Sequence, residues 1–479
     1  MTAASQRIPW KIFSLILAGA FIGPFGAMAV NVSLPTVARD IQTDIQSVKW
    51  VILMYLLVTT FILPVAGRFS RFISEEKLYG GGLLVAACGT LLSGFTPEGG
   101  LGFLVSARGL TAVGTAAVFA LFSSLLAKYI PASRRGLGFG LVGATVAVAL
   151  VAGVLAGSAI SEFWGWRWAF LVQTPLQAGG FIAALAFFPP TTSRRVVNYP
   201  WPSAFGWLLT TCGLVLVLDA YAKGLLIEWL PLTITLMVGG LLLFIFMERR
   251  GNPLFDYSLF ASAGYRLGVI GIALINLVFF IVTLFIPFYL EEYLGMSPQE
   301  MGRYLAIIPL ATLVVAPLAG RYSDKHGARL PVLSGLILAA AGFAWMSAVG
   351  FSGNVRDIIA GLLLLGIAGG LFNSPLLSLM MGSVSDQMRG IASGLGSLAR
   401  NLGFMLGTSL GSLSLSLFLW RYGGVELMRV SQHTGLTPES VSFDAFQFAL
   451  RGMMAMSCVI CLIGLALMAR LPNQPPSTS

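Results

Sequence analysis

Charged residues are scarce in this chain: Asp, Glu, Lys and Arg make up only 10% of its 479 residues, whereas 57% are hydrophobic. A soluble domain carries about 25% charged residues, so this chain has too few charges to cover a water-facing globule. Its apolar residues also run without interruption over stretches of about 20 positions, the length that crosses a bilayer as a helix. Because polar residues do not alternate with them, the runs argue against a membrane β-barrel. The composition predicts an all-α integral membrane protein.

Residues that carry catalytic or metal chemistry are also few. The two histidines, His326 and His433, fall in predicted loops, and the sequence shows no Ser-His-Asp set, phosphate-binding loop or metal-ligand cluster. The last two cysteines have a C-x-x-C spacing without a second ligand pair nearby, and all four are interpreted as small apolar residues of membrane segments: Cys88, Cys212, Cys458 and Cys461. We therefore predict no enzyme activity, no cofactor and no metal site. Any active transport must then use an ion gradient or the substrate's own gradient.

Fourteen apolar segments are predicted to span the membrane: 11–32, 47–66, 78–96, 101–127, 136–161, 167–188, 204–222, 229–247, 266–293, 301–320, 329–350, 357–382, 389–419 and 446–470. An even number places both termini on one side. Of the Lys and Arg residues, 18 lie on that side, 9 lie on the other, and Arg108 and Arg400 lie inside segments. By the positive-inside rule the richer side is cytoplasmic. We expect a multi-pass protein of the cytoplasmic membrane with both termini in the cytoplasm and its largest outer loop at 421–445.

The net charge of +10 follows from the same layout. The basic surplus faces the anionic lipids of the cytoplasmic leaflet. The expected partner is therefore the lipid bilayer, and no nucleic acid is expected.

An internal repeat divides the chain. The tetrapeptide Gly-Arg-Phe-Ser at 67–70 recurs as Gly-Arg-Tyr-Ser at 320–323, an offset of 253. At an offset of 254, the dipeptide Arg135-Gly136 recurs as Arg389-Gly390, and three glycines recur as well: Gly140, Gly153 and Gly157 as Gly394, Gly407 and Gly411. Transporters are often built from such repeats. We predict two six-helix bundles, at 1–188 and 266–479, joined by a linker at 189–265 that contains two inserted transmembrane helices.

The segment at 320–329 resembles the cytoplasmic loop signature of the major facilitator superfamily. The residues that carry the resemblance are Gly320, Asp324, Lys325, Gly327 and Arg329. The resemblance implies a gating loop, in which glycines let two helix ends approach and Asp324 at a helix N-terminus pairs with basic groups across the bundle interface. An ordinary charged turn is the alternative.

The first copy of this loop departs from the signature. Arg71 stands where Asp is expected, and Glu75 and Glu76 stand where the basic pair is expected. The charges are inverted, so the gating role implied by the resemblance is not carried over to this half.

Further stretches resemble the fourteen-helix drug:proton antiporter branch of that superfamily. They are Asn31-Val-Ser-Leu-Pro35 with Trp50 and Tyr55, Arg108 with Gly114, Trp166-Arg167-Trp168-Ala-Phe170 with Pro175, and the inserted pair of helices. The branch usually has Asp in helix 1, where this chain has Gly26, and Gly-Pro in helix 5, where Gly153 is followed by Val154. The resemblance implies a fourteen-helix transporter of drug-like molecules and leaves proton antiport open.

Polar residues inside membrane segments are costly and usually functional. Arg108 and Arg400 are expected to border a central substrate cavity, with pairing to helix-end carbonyls as the alternative. Three mid-span asparagines, Asn276, Asn373 and Asn401, are expected either to contact substrate or to form hydrogen bonds with neighbouring helices. The complete set of cavity candidates is Asn31, Tyr55, Arg108, Asn276, Tyr289, Asn373, Arg400 and Asn401.

Glycines recur every fourth residue on two helices and predict smooth stripes for close packing and sliding, with static packing as the alternative. The residues are Gly153 and Gly157 in one segment and Gly403, Gly407 and Gly411 in the other.

These observations predict a secondary active transporter that exports a small amphipathic organic molecule or drug by alternating access, as a monomer, with protons as a candidate coupling ion. No Asp or Glu lies mid-span in the predicted cavity-lining helices, which favours neutral or anionic substrates over cations. Coupling could use an acid near a helix end, such as Glu162, Asp219 or Glu291, although Asp219 is expected to pair locally with Lys223. The alternatives on the same fold are a flippase or exporter of lipid-like molecules and an organic-anion facilitator.

Overall fold

A computed structural model of the chain describes residues 9–69, 73–131, 135–189, 200–222, 229–250, 254–351, 354–385, 388–433 and 443–471. Its first helices are α1 (Trp10–Ile41), α2 (Ile45–Val48), α3 (Trp50–Phe69), α4 (Glu75–Gly94), α5 (Leu101–Tyr129), α6 (Arg135–Phe163), α7 (Arg167–Leu171), α8 (Gln173–Phe187), α9 (Trp201–Ala222) and α10 (Leu230–Glu248). They continue as α11 (Ala263–Phe288), α12 (Pro298–Leu305), α13 (Ile307–His326), α14 (Arg329–Trp345), α15 (Val355–Gly382), α16 (Arg389–His433) and α17 (Phe443–Met468). No strand occurs in the described ranges.

Among the described residues, thirteen helical spans are long and apolar enough to cross a membrane, with α2 and α3, α7 and α8, and α12 and α13 each counted as one span. The fourteenth is α4, which is 20 residues long, carries Glu75, Glu76 and Lys77 in its first turn, and packs against α5 and α8. The predicted all-α membrane fold is confirmed, with thirteen to fourteen membrane-length helices in the described part of the chain.

The two halves of the chain use the same helix pairs. In the first half, α1 packs against α6, α3 against α5, and α4 against α5 and α8. In the second half, α11 packs against α16, α13 against α15, and α14 against α15 and α17. The pairs correspond one to one when the sequence repeat is applied, so the predicted internal repeat is confirmed. We call α1–α8 the N-terminal bundle and α11–α17 the C-terminal bundle.

Glycines at equivalent positions bring paired helices into backbone contact. A Cβ on Gly153 would lie 2.5 Å from the carbonyl oxygen of Phe25 in α1, and a Cβ on Gly407 would lie 2.4 Å from that of Leu277 in α11. No side chain fits at such distances, so only glycine allows these helices to lie this close together. The backbone contact continues at Gly157 and Gly403, and Gly411 packs against the ring of Phe285.

The inserted helices α9 and α10 pack against each other, and α9 also packs against α3 and α16. Because α3 and α16 touch each other as well, α9 covers a seam where the two bundles meet. Trp207 of α9 holds this position. Its indole Nε1 donates a hydrogen bond of 3.2 Å to the carbonyl oxygen of Thr60 in α3, and its ring packs against Phe244 and Phe255.

Two helices run past their predicted ends. The segment predicted to end at 32 continues as α1 to Ile41, because Leu34, Val37 and Ile41 form a further apolar face that is buried. The segment predicted to end at 419 continues as α16 to His433. The connection predicted at 421–445 is therefore helical up to His433, while the apolar span itself ends at Tyr422. Residues 434–442 lie outside the described ranges.

Candidate functional site

The helical bundle has two ends that differ in their contacts. Both described termini lie at one end, where α1 begins at Trp10 and α17 ends at Met468. We call this the terminus end and the other the opposite end. Because successive spans alternate in direction, the last turn of α1, the start of α3 and the last turn of α11 all lie at the opposite end. Polar contacts between the bundles are concentrated there.

The first of these contacts joins α1 to the C-terminal bundle. Arg39 forms ion pairs with Glu291 at 2.5 Å and with Glu292 at 3.2 Å, both on the π-helical turn that follows α11. Glu291 also accepts a hydrogen bond of 3.0 Å from the Thr36 hydroxyl, and its side chain is buried. Opening this end requires these contacts to separate.

Two further acids lie at the same end. Glu162 of α6 accepts a hydrogen bond of 2.7 Å from the backbone N–H of Gln299 at the start of α12. Asp219 of α9 forms an ion pair of 2.7 Å with Lys49, between α2 and α3. The expected local partner Lys223 lies outside the described residues, so that pairing stays a prediction. The three acids considered for proton coupling therefore share one closed end of the molecule: Glu162, Asp219 and Glu291.

Sequence reasoning did not single out the basic members of these contacts, Arg39 and Lys49. Both flank apolar segments, where basic residues ordinarily mark the membrane edge. The linear sequence does not distinguish a flanking charge that faces water from one that faces the other bundle. The only available signal is that Lys49 stands immediately before the apolar run that starts at Trp50.

Arg400 lies on the sector of α16 between two contact faces. One face packs on α11 through Gly403 and Gly407, and the other meets α3, where the Asn401 amide donates to the carbonyl oxygen of Leu56 at 2.8 Å. With 3.6 residues per turn, Arg400 points between these faces, toward the space shared by the bundles. Its side chain is partly exposed, and no residue in the described ranges forms a hydrogen bond or ion pair with its guanidinium. Arg400 therefore offers a free cation inside the membrane region.

Two asparagines of the C-terminal bundle are also partly exposed. The Asn276 amide donates to the Ile272 carbonyl oxygen at 2.7 Å, and the Asn373 amide donates to the Gly369 carbonyl oxygen at 3.1 Å. Each satisfies a donor within its own helix and keeps its side-chain carbonyl oxygen as an acceptor. A Cβ on Gly403 of α16 would lie 3.1 Å from the Asn276 Cβ, so Asn276 borders the same helix as Arg400.

Asn31 supplies a polar group from α1. It is 4% exposed, and its Nδ2 has no hydrogen-bond partner among the described residues. A buried donor without a partner costs about 1–3 kcal/mol. Such a cost persists more readily at a position where a bound molecule can accept the hydrogen bond.

The position of the missing helix-1 acid is filled by a neutral group. A Cβ on Gly26 would overlap the Oε1 atom of Gln173, which enters from α8. Gln173 is 2% exposed, and its Nε2 donates to the Ala169 carbonyl oxygen at 2.6 Å. Glycine at 26 thus makes room for an uncharged amide where the resembling branch has a carboxylate.

Arg108 lies deep inside the N-terminal bundle, and its expected place beside a central cavity stays a prediction. It is 3% exposed, and its Nε donates to the Val51 carbonyl oxygen at 3.4 Å. The guanidinium carbon lies 4.4 Å from the ring centre of Tyr55 and 5.7 Å from that of Phe170. These cation–π contacts hold the charge. Tyr55 itself keeps a partly exposed side chain.

Two other cavity candidates are engaged in packing. Tyr289 is fully buried, and its ring packs against Phe351 and Phe443 of the C-terminal bundle. Asn401 uses its amide to bond α3, including the Thr60 hydroxyl at 2.5 Å. Asn401 thus joins the bundles to each other, which is the neighbour-bonding alternative.

The signature loop lies at the terminus end. Asp324 stands in the last turn of α13, and not at a helix N-terminus as expected, because the helix continues to His326 and is stopped by Gly327 at φ 90°. Asp324 and Lys325 are exposed, and no ion pair to either occurs within the described part of the chain. Arg329 at the start of α14 donates to the Ala469 carbonyl oxygen at 2.8 Å. Gly320 packs near the Ser374 hydroxyl.

Comparison with known proteins adds the family context. The family model described as Major Facilitator Superfamily matches residues 16–408. The chain is 28% identical over 410 residues to the riboflavin transporter RibZ of Clostridioides difficile, covering 84% of this chain and 87% of that protein. It is 30% identical over 398 residues to the uncharacterized transporter YebQ of Escherichia coli, covering 82% and 86%. It is 28% identical over 415 residues to the puromycin resistance protein pur8 of Streptomyces alboniger, covering 84% and 80%.

A solved structure with a similar fold is a bacterial homolog to the human lysosomal transporter Spinster, in an inward-facing and unoccupied conformation. It aligns with a TM-score of 0.64 at 15% sequence identity, over 96% of each chain. At this identity the likeness concerns the fold alone.

Proposed function

Because this chain belongs to the Major Facilitator Superfamily and is a transporter and not an enzyme, we propose that it exports small amphipathic organic molecules, neutral or anionic, by alternating access. The observation that carries the substrate preference is Arg400, a partly exposed cation without a partner among the described residues. A substrate that enters the space beside it meets a positive charge, the Asn276 side chain and apolar surface.

The distribution of acids supports this preference. The buried acids of the described chain are held by basic residues: Glu291 by Arg39, Asp219 by Lys49, and Glu76 by Lys128. A cationic drug inside a low-dielectric cavity needs a carboxylate that is available to pair with it. The helix-1 position that could supply one is Gly26, covered by the Gln173 amide. A neutral or anionic molecule requires no such carboxylate.

Aromatic side chains beside Arg400 suit a planar substrate. Phe404, one helical turn from Arg400, packs against Phe280 with ring centres 4.8 Å apart. Stacking on such rings is available to flat organic molecules. Riboflavin, named for one relative, is an uncharged aromatic solute and is a suitable first neutral probe. Export is supported by relatives named for drug resistance.

The direction of transport requires an orientation, and the basic residues supply one. We propose that the terminus end is cytoplasmic, which places the closed opposite end outside. Single cysteines at the exposed positions Arg421 and Lys325 test this in a background without the four native cysteines. Arg421→Cys should react with an impermeant maleimide on intact cells, and Lys325→Cys only after lysis. The reverse pattern would contradict the orientation.

The substrate class is tested with purified protein in liposomes and a matched set of cationic, neutral and anionic aromatic solutes, riboflavin among them. We expect neutral and anionic members to be transported faster than the permanent cation. Repeating the assay with an imposed pH gradient separates proton-coupled transport from facilitated diffusion, and a fluorescent-lipid arm tests the flippase alternative. Strong proton-driven transport of the cation would contradict the proposal.

A further inference from the structure

Lys49 joins three parts of the molecule at the opposite end. Its Nζ lies 2.7 Å from an Asp219 carboxylate oxygen, 2.8 Å from the Gln46 side-chain oxygen and 2.5 Å from the Ser412 hydroxyl. Gln46 belongs to α2 of the N-terminal bundle, Ser412 to α16 of the C-terminal bundle, and Asp219 to the inserted helix α9. Gln46 and Ser412 each accept a hydrogen bond from the ammonium, and Asp219 supplies its counter-charge.

The contact is buried on all sides. Lys49 is 2% exposed and Asp219 is 9% exposed. A buried ammonium is strongly unfavourable without a counter-ion, and Gln46 and Ser412 are neutral. Removal of one member of a buried ion pair leaves the other charge uncompensated, which is the most costly way to alter it. The Lys49 ammonium can therefore stay buried in contact with the C-terminal bundle because α9 supplies the Asp219 carboxylate as its counter-ion.

The three partners of Lys49 do not separate equally when the opposite end opens. Ser412 lies on the C-terminal bundle and moves away from the N-terminal bundle. Asp219 lies on α9, which is tied to α3 by the hydrogen bond from Trp207 to Thr60 and also packs against α16. When α9 moves with α3, the Lys49–Ser412 contact separates and the Lys49–Asp219 pair stays intact.

We propose that the inserted helix pair is a working part of the gate at the opposite end, with Asp219 as a positioning residue that lets Lys49 bind the C-terminal bundle through Ser412. The inserted helices thereby set the balance between the closed and open states of that end. This inference rests on the proposed alternating access and gives a role to helices that the internal repeat does not account for.

The test measures the closed-to-open ratio directly in the full-length protein. Spin labels are attached at Glu98→Cys, in the loop between α4 and α5, and at Arg421→Cys on α16, after the four native cysteines are replaced. Both positions are exposed and lie at the opposite end on different bundles. Pulsed electron paramagnetic resonance in lipid nanodiscs then gives the distance distribution between the bundles.

Asp219→Asn should lower the closed-to-open ratio at least about tenfold, because it leaves the Lys49 charge buried without its counter-ion. The double variant Lys49→Met with Asp219→Asn should restore much of the closed population, because neither charge remains. Ser412→Ala should shift the ratio in the same direction as Asp219→Asn but less, because it removes the hydrogen bonds of the Ser412 hydroxyl with Lys49 and Gln46 and leaves the ion pair.

A matched control is the Glu76–Lys128 ion pair of 2.6 Å, which lies within the N-terminal bundle at the terminus end. Glu76→Gln should leave the distance distribution unchanged. Thermal melting of each variant checks that the fold is kept. A parental distribution for Asp219→Asn would overturn the proposal, and so would a double variant that stays as open as the single one. Transport by the parent protein is measured separately, so failure of this gate leaves the proposed function testable on its own.

Discussion

The two bundles share a packing framework but differ in their buried charges. The glycine contacts of α6 on α1 recur in α16 on α11, with Gly153 and Gly407 at equivalent positions. The arginines do not recur. The residue equivalent to Arg108, at an offset of 254, is Leu362, which is fully buried in the C-terminal bundle. The residue equivalent to Arg400 is Val146.

This difference separates structural requirements from functional ones. Helix spacing depends on backbone contact and is the same in both halves, so both copies keep glycine. A charge inside the membrane region is needed only at its own site, so it has no equivalent in the other bundle. Arg108 is enclosed by rings of its own bundle, whereas Arg400 faces the space between the bundles. The N-terminal bundle therefore encloses its arginine, and we propose that the C-terminal bundle presents its arginine to a substrate.

The largest effects should come from substitution of the two arginines. We expect Arg400 to affect transport and Arg108 to affect stability. We expect Arg400→Ala to reduce transport by at least about tenfold without lowering the melting temperature, because it removes the cation offered to substrate and no contact within the described fold. An unpaired arginine near mid-membrane costs about 2.5–3.5 kcal/mol on insertion scales, so its removal does not threaten folding. Liposome flux and thermal melting measure the two quantities, and Arg400→Lys should retain part of the activity.

Arg108→Ala is the counterpart. It removes a large buried side chain and two cation–π contacts, so we expect a loss of about 2–4 kcal/mol of stability. Transport per folded molecule should change less than for Arg400→Ala. An unchanged melting temperature for Arg108→Ala, or a lowered one for Arg400→Ala, would remove the distinction between the two bundles.

The glycine framework should give a smaller and symmetrical effect. Gly153→Ala and Gly407→Ala each force a methyl group against a carbonyl oxygen, so each should lower stability by about 1–3 kcal/mol. Gly140→Ala and Gly394→Ala are matched controls, because they are also repeat equivalents but a Cβ at either meets no atom within 4 Å. The controls should melt at or slightly above the parental temperature, since alanine favours the helix. Unequal losses at 153 and 407 would show that the repeat is not energetically symmetrical.

Much of the fold could be predicted from the sequence, because membrane spans and repeats are local patterns. Apolar length identifies helices, and the recurrence of Gly153 and Gly157 as Gly407 and Gly411 identifies equivalent elements. Helix ends were less predictable. A charge such as Arg421 marks the end of an apolar run, but the helical hydrogen bonds of α16 continue to His433.

The site was predicted only in part, because burial and pairing are decided by the other bundle. Arg108 and Arg400 look alike in the sequence, and only the packed helices separate an enclosed guanidinium from an accessible one. The ion pair of Asp219 joins it to Lys49 from a distant segment. Sequence spacing predicts ion pairs within one helix, but it does not predict ion pairs with a helix from another part of the chain.

The smallest effect concerns the two copies of the signature loop. At an offset of 253, Glu76 is equivalent to Arg329, so the charge at the start of α4 is opposite to that at the start of α14. Glu76 is already engaged, with an ion pair of 2.6 Å to Lys128 and a hydrogen bond of 2.7 Å from Tyr129. Asp324 is exposed and is free to find a basic partner when the terminus end closes.

We therefore expect Asp324→Asn to reduce transport by about two- to tenfold, the range for a residue that alters the coupling between states by roughly 0.5–1.5 kcal/mol. Expression and melting temperature should stay near parental values, because the side chain has no contact to lose in the described state. Glu76→Gln should instead affect stability and not transport. It should lower stability by up to about 1 kcal/mol, since Lys128 is half exposed and partly screened, and leave transport close to the parent. Flux and melting of the two variants side by side decide the matter: if Glu76→Gln slows transport and Asp324→Asn does not, the copy with inverted charges is the one that controls the cycle.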